Sequence, residues 1–307
     1  MARRRANTDW LESLEYLIAT ETSKLLSEIG DDQKVAKAVE GGIQEVLATA
    51  PAEYAHAMKK RARSMLRERR RLTRGFEKRT FRRWRPAFDR LELVWRAAEE
   101  TTSAFNERYR PDAAENNDYV FEALTRLNGR GLQVAAEVIQ LLKGGYPEGA
   151  LSRWRTLHEI LVTALFIKNA EPVVAERYLA SVDFTRLKAA KQLNRYADRA
   201  NLQCFSDEEL SKFKRRCEGW EQRFGVALDD YNWARPGIAG ATENFRITFF
   251  HLEEETGLDH WRPRYKWASQ HTHAGHRDPG SGLGLVEAEV DVILVGASNS
   301  GFVDPMQ

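Results

Sequence analysis

The sequence predicts an all-α protein, a helical bundle, on three observations. Apolar residues recur at three- and four-residue spacing over most of the chain. Glycine- or proline-bearing stretches punctuate that pattern. The one stretch that departs from it, with frequent β-branched residues, is the tail. At 307 residues, 42% hydrophobic and 30% charged, the chain can bury a large core, and no apolar run reaches the roughly 18 residues a membrane span needs. The expected organisation is an N-terminal helical segment, 1–75, and a helical bundle domain, 76–307.

The elements follow in order. Asp9 can cap a first helix in which Trp10, Leu14, Leu17 and Ile18 recur at helical spacing, and Gly30-Asp31-Asp32 ends it. A second helix reaches Ala50, and Pro51 suits the first position of a third. Near Gly75 the composition turns apolar, with Phe76, Phe81, Trp84, Phe88 and Trp95, and Arg110-Pro111-Asp112 is expected to break the next helix. A core helix covers Tyr119 to Leu142, loosened at Asn128–Gly131, and Gly144-Gly145-Tyr146-Pro147 makes a turn. The most apolar helix runs from Glu148 to Asn169, followed by Val173 to Arg199. Ser206 with Glu209 forms a capping box for Asp207 to Trp220. A loop spans Gly225 to Gly240. Further helices cover Thr242 to Glu255 and the stretch from Pro263 into a histidine cluster. Val286, Val290, Val292, Ile293 and Val295 suggest a short strand or an irregular C-terminal arm, and Ala297–Phe302 reads as a turn or a further helix start.

Cys204 and Cys217 are the only cysteines. They suit a reducing compartment, so a cytoplasmic location is expected, and there is no secretory signal pattern behind Arg3-Arg4-Arg5. No cofactor motif is present: the glycines from Gly280 to Gly284 lack the strand, helix and lysine-serine pair of a phosphate loop.

Net charge is only +2, yet Met58 to Pro86 carries fourteen basic residues against Glu68 and Glu77. Lys59, Lys60, Arg61, Arg63, Arg67, Arg70, Arg71, Arg74, Arg82 and Arg83 are candidates for holding a phosphate backbone, with RNA or another polyanion as partner. The plainer reading is a solvated helix face, or a surface for an acidic protein.

Two constellations can carry chemistry. Arg155 and Glu159, four apart, share a face of the most apolar helix, with His158 between them; they form either a structural pair or part of a site. Four of the seven histidines fall between 260 and 276, and Arg264 lies seven residues before His271, with His273 and His276 beyond. Histidine transfers protons near neutral pH and arginine stabilises phosphate, so a metal-independent ribonuclease needs no more than these types. The histidines can also gather on a metal, although no His-Glu-x-x-His pattern supports that.

Three segments, Gly149-Ala150-Leu151-Ser152-Arg153-Trp154-Arg155-Thr156-Leu157-His158-Glu159, Asp230-Tyr231-Asn232-Trp233-Ala234 and Trp267-Ala268-Ser269-Gln270-His271-Thr272-His273, resemble an all-helical bacterial family of unknown function, DUF5677, over roughly 76–300. His273 is the better match to its histidine. That family looks like a distant relative of HEPN domains, many of which are homodimeric, metal-independent ribonucleases of toxin and phage-defence systems with an arginine-x(4–6)-histidine motif. The resemblance implies a HEPN-like bundle. Arg264 would hold the phosphate, His271 or His273 would move protons, and Arg155 with Glu159 would orient the site. Tyr265 follows the arginine where those nucleases have a small polar residue, and the spacing to His273 is too long for the motif. A non-catalytic binding or structural protein on the same fold is the alternative.

Overall fold

The computed structural model describes residues 19–20, 23–24, 27, 32–242, 244–273, 282–289 and 293–307. The expected helix from Asp9 to Ile18 lies outside them, as do His276, Gly280, Ser281, Val290 and Val292. The chain divides into two compact units, Met1–Gly75 and Phe76–Gln307. All regular structure among the described residues is helical.

Helix α1 is continuous over Asp32–Glu115. Here the breaks expected at Pro51 and Arg110-Pro111 do not occur, and the helix runs on through the unit boundary at Gly75. An interior proline removes one backbone hydrogen bond and crowds the preceding turn, a local cost of about 3 kcal/mol. Long runs of Ala, Leu, Arg and Glu on either side favour continuation. Pro111 stands within the last turns, and the helix ends four residues later.

In the second unit, α2 (Tyr119–Lys143) starts on Asp118, whose side chain accepts from the Phe121 amide. The Asn128–Gly131 stretch stays helical. α3 (Pro147–Asn169) begins with proline at its first position, which has no amide hydrogen to leave unsatisfied. Only Gly144, Gly145 and Tyr146 join the two, so they pack as an antiparallel pair, the most extensive pairing in the fold. Gly145 sits at φ 82°, and a Cβ there would meet the Phe76 ring and the Ser298 carbonyl. No other residue fits that turn.

α4 (Pro172–Ala200) and α5 (Asp207–Phe224) pack side by side, and the Ser206/Glu209 capping box forms as the sequence indicated. Asp183, 2% exposed at its side chain, ties them by accepting from Arg216 Nε and Trp220 Nε1. A 3-10 turn over Asn232–Gly237 follows. Short helices α6 (Phe249–Thr256), α7 (Arg262–Gln270) and α8 (Val303–Met306) complete the unit. The tail forms no strand among its described residues. Ile293 and Val295 are exposed, whereas Phe302 is fully buried against Trp84 and Phe88.

The main core gathers Leu127, Val162, Phe166, Trp233, Leu252 and Tyr265. A second cluster joins Phe88, Val138, Leu142, Ala150 and Phe302. α3 is central: it also meets α6, α7 and α8, so its polar residues are the ones the fold can turn into a site.

Candidate functional site

Arg155 and Glu159 project from α3 toward α7 and meet Tyr265. Arg155 Nη2 donates to Tyr265 Oη at 2.9 Å and lies 3.0 Å from Glu159 Oε1. Tyr265 Oη donates in turn to the same carboxylate oxygen at 2.7 Å. The guanidinium carbon also stands 4.8 Å from the Tyr265 ring centre. Burial, reinforced by the bond to Glu159, pushes the Tyr265 hydroxyl up to about 12, against the opposing pull of Arg155. The phenol is therefore a neutral hydrogen-bond donor at physiological pH. For Arg155, burial acts downward, but the bond to Tyr265 and the Glu159 charge outweigh it and hold the guanidinium above its ordinary value.

A second cluster, built on a fully buried carboxylate, lies beside it. His158 Nε2 is 2.9 Å from Glu253 Oε1, with the two side chains 3% and 0% exposed. Arg262 donates to the other Glu253 oxygen and covers the Phe250 and Tyr265 rings. A carboxylate out of water persists only when paired and hydrogen-bonded, and Glu253 is both. The His158 ring stacks parallel to Trp154 at 5.6 Å and meets Phe249 edge-on.

The Asp230–Ala234 segment faces the same group. Tyr231 packs on Phe249, and burial, then the Glu159 charge, raises its hydroxyl. Trp233 is 4% exposed. Arg177 pins this loop by donating to the carbonyls of Asn232 (2.9 Å) and Trp233 (3.2 Å). Two of the three segments on which the family resemblance rested thus come together around Phe249, which touches Tyr231, His158 and also Tyr265 of α7, the helix that carries most of the third.

Arg264 takes a different course from its neighbour Tyr265. Its guanidinium carbon lies 4.8 Å from the Trp154 ring and 5.7 Å from Trp261. Nη1 donates to Gln307 Oε1 at 2.6 Å, and Nη2 is 3.9 Å from Asp304, beyond hydrogen-bond length. Burial lowers its pKa, partly offset by Asp304. His271 caps α7 with its side chain 4% exposed, against Trp267 and 3.8 Å from Glu148. His273 lies exposed beyond the helix end. The structure thus joins Arg155 to Glu159 through Tyr265. It sends Arg264 to Trp154 and His271 to Glu148, six residues apart on α3.

Glu253 and Arg262 were not singled out from the sequence, and Tyr265 was named only as a departure from the nuclease motif. Glu253 had a usable signal, an acid following Phe249, Phe250 and Leu252 on a short helix. Its partner His158 lies 95 residues away, a distance no local pattern bridges.

The basic candidates lie on α1. Lys59, Lys60, Arg61, Arg63, Arg67, Arg70, Arg71 and Arg74 in the first unit, and Arg82 and Arg83 in the second, are all exposed. Spacings of three and four align Lys59, Arg63, Arg67, Arg70 and Arg74 in one ridge, with Lys60 and Arg71 beside it. Met58, Met65 and Leu72, exposed and seven apart, fall on the other side. Arg83 pairs with Glu287.

Among the described residues no three His, Cys, Asp or Glu side chains gather as a metal site, and no helix is long and apolar enough to cross a membrane. No curated protein and no solved structure matches the chain. A family of unknown function, DUF5677, matches residues 121–284, which contain all but the first two residues of α2, α3 through α7 and the whole Arg155–Glu159–Tyr265 cluster. That is more than half of the chain, and the protein belongs to that family.

Proposed function

We propose that the protein binds RNA, or a polyanion of the same charge spacing, and that the ridge from Lys59 to Arg74 is the surface it uses. The supporting observation is the exposure of every one of its basic side chains on a single helix. Sixteen residues of helix cover about 24 Å, enough for several successive phosphates. Neighbouring like charges at three- and four-residue spacing weaken an isolated helix by roughly 0.2–0.5 kcal/mol per pair, a standing cost that an anionic ligand reverses.

In its finer form this reading makes the second unit a HEPN-like, homodimeric scaffold. A cleaving version needs Arg264 and His271 or His273 at one scissile phosphate. The engagement of Arg264 with two indoles and Gln307, and the enclosure of the His271 side chain, favour binding over cleavage.

Filter binding of a single-stranded RNA over a salt series is the test. Phosphate contacts make the logarithm of affinity fall by about 0.7 per contact with the logarithm of salt, so a salt-insensitive signal rejects the proposal. Incubation with total RNA in chelator decides the chemistry. Cleavage that is lost in H271A or H273A would restore the nuclease, and equal absence in all three proteins leaves binding alone.

A further inference from the structure

A cavity of about 700 Å³ lies within the second unit, between the 91–98 stretch of α1 and helices α2 and α3. Its walls are mainly apolar, as Val94, Trp95, Leu127, Val138 and Leu161 illustrate, with Asn128, His158 and Gln307 as polar members. Its size falls in the range of small-molecule sites, which pair apolar walls with a few placed polar groups. Val94 and Leu161, both exposed, stand at its open mouth, so a single apolar chain or ring system can enter from solvent.

One end is chemically distinct. Trp154, Trp261 and Gln307 line the cavity, and all three also contact the Arg264 guanidinium. The Arg264 side chain is 13% exposed, and its Nε and Nη2 are buried with no hydrogen-bond acceptor among the described residues. Leaving donors of a buried cation unsatisfied is unfavourable, and two adjacent guanidinium N–H groups suit the two oxygens of a carboxylate. Gln307, itself exposed, places its amide oxygen 2.6 Å from Nη1 and can swing outward; a carboxylate in its place would set one oxygen on Nη1 and the other on the adjacent Nη2, satisfying one of the two orphaned donors. Asp304 already sets one negative charge 3.9 Å from Nη2. A singly charged head group is therefore favoured over a dianionic phosphate.

We propose that this cavity binds an amphiphilic monocarboxylate, its apolar body between α1, α2 and α3 and its carboxylate on Arg264 in place of the Gln307 amide. The site belongs to the second unit, the Lys59–Arg74 ridge to the first, and it does not depend on RNA binding.

The test uses the full chain, with 1-anilinonaphthalene-8-sulfonate as fluorescent reporter and decanoate, decanol, decyl phosphate and decyltrimethylammonium as competitors. Decanoate is expected to displace the reporter at concentrations at least about tenfold below the other three, the equivalent of one guanidinium contact. Arg264→Gln should weaken decanoate about tenfold while changing decanol less than about twofold. Gln307→Asp, on an exposed residue that leaves the fold intact, supplies an internal carboxylate and should weaken decanoate similarly. Val94→Trp, at the exposed mouth, should obstruct entry and weaken displacement, with its circular dichroism and melting unchanged. Equal displacement by decanoate and decanol, undiminished decanoate binding in Val94→Trp, or no reporter signal in the wild type overturns the proposal. Parity of decyl phosphate with decanoate overturns the choice of head group.

Discussion

The first unit and the second spend arginine in opposite ways. Along the Lys59–Arg74 ridge the guanidinium groups stand in solvent beside like charges. In the second unit Arg155, Arg177, Arg262 and Arg264 are wholly or partly withdrawn from water and held by a carboxylate, backbone carbonyls or aromatic faces. The difference teaches where to look for structure and where for ligands. An arginine whose donors are spent on the protein fixes geometry, and its loss appears in stability. One whose donors remain open is a place where something else binds.

The comparison breaks first, if it is wrong, at Glu253. Glu253→Ala leaves His158 and Arg262 facing a vacated, fully buried position, and should cost about 3–5 kcal/mol, read by urea denaturation. A loss below about 1 kcal/mol, the scale of exposed pairs, would show that the cluster is not what holds α3 to α6.

The ridge should behave in the contrary manner. The triple variant R63Q/R67Q/R70Q should lower the salt dependence of RNA affinity by about two in slope, from three contacts at about 0.7 each. Its denaturation midpoint should be unchanged or slightly raised, because like-charge pairs are removed. A stability loss with no change in slope would reverse the assignment of the two regions.

Tyr265 gives a smaller effect with a pH signature. Tyr265→Phe removes the bridge between Arg155 and Glu159, at a cost of about 1 kcal/mol near neutrality. The folded protein holds the phenol proton up to about 12, above the ordinary value of 10.0. That contribution is complete below about pH 10 and is lost as pH rises through about 12. Melts at pH 8 and pH 11 should therefore show the gap between wild type and Tyr265→Phe narrowing at the higher pH. A constant gap would mean that the hydroxyl is not held by Glu159. Smallest of all, Met65→Ala on the exposed side of α1 should change stability by no more than about 0.5 kcal/mol.

Local signals carried most of the second unit. The Ser206/Glu209 capping box, the glycine-proline turn at 144–147 and the apolar period of α3 each depend on neighbours within four residues, and each formed. The continuity of α1 was hidden because Pro51 and Pro111 are read as stops by any local rule, while the helix-favouring runs around them act over many turns. At the site, the Arg155/Glu159 pair was legible because four-residue spacing puts both on one face. Their bridging by Tyr265 was not, since it arrives from 106 residues away. The Arg264–His271 spacing suggested a shared face. The two side chains instead lean on Trp154 and Glu148, because α7 lies along α3 and ends at Gln270.

The docking of Phe302 has a kinetic consequence. Trp84 Nε1 donates to the Asn299 carbonyl across 215 residues, and Phe302 stacks on Trp84 and meets Phe88. Contacts so distant along the chain close the largest loops and form late, after the helices they join have assembled. Phe302→Ala should therefore accelerate unfolding and leave the folding rate nearly untouched. The end of the chain that brings Gln307 to Arg264 is, on this account, the last part of the protein to be fastened and the one whose release sets how long the native state endures.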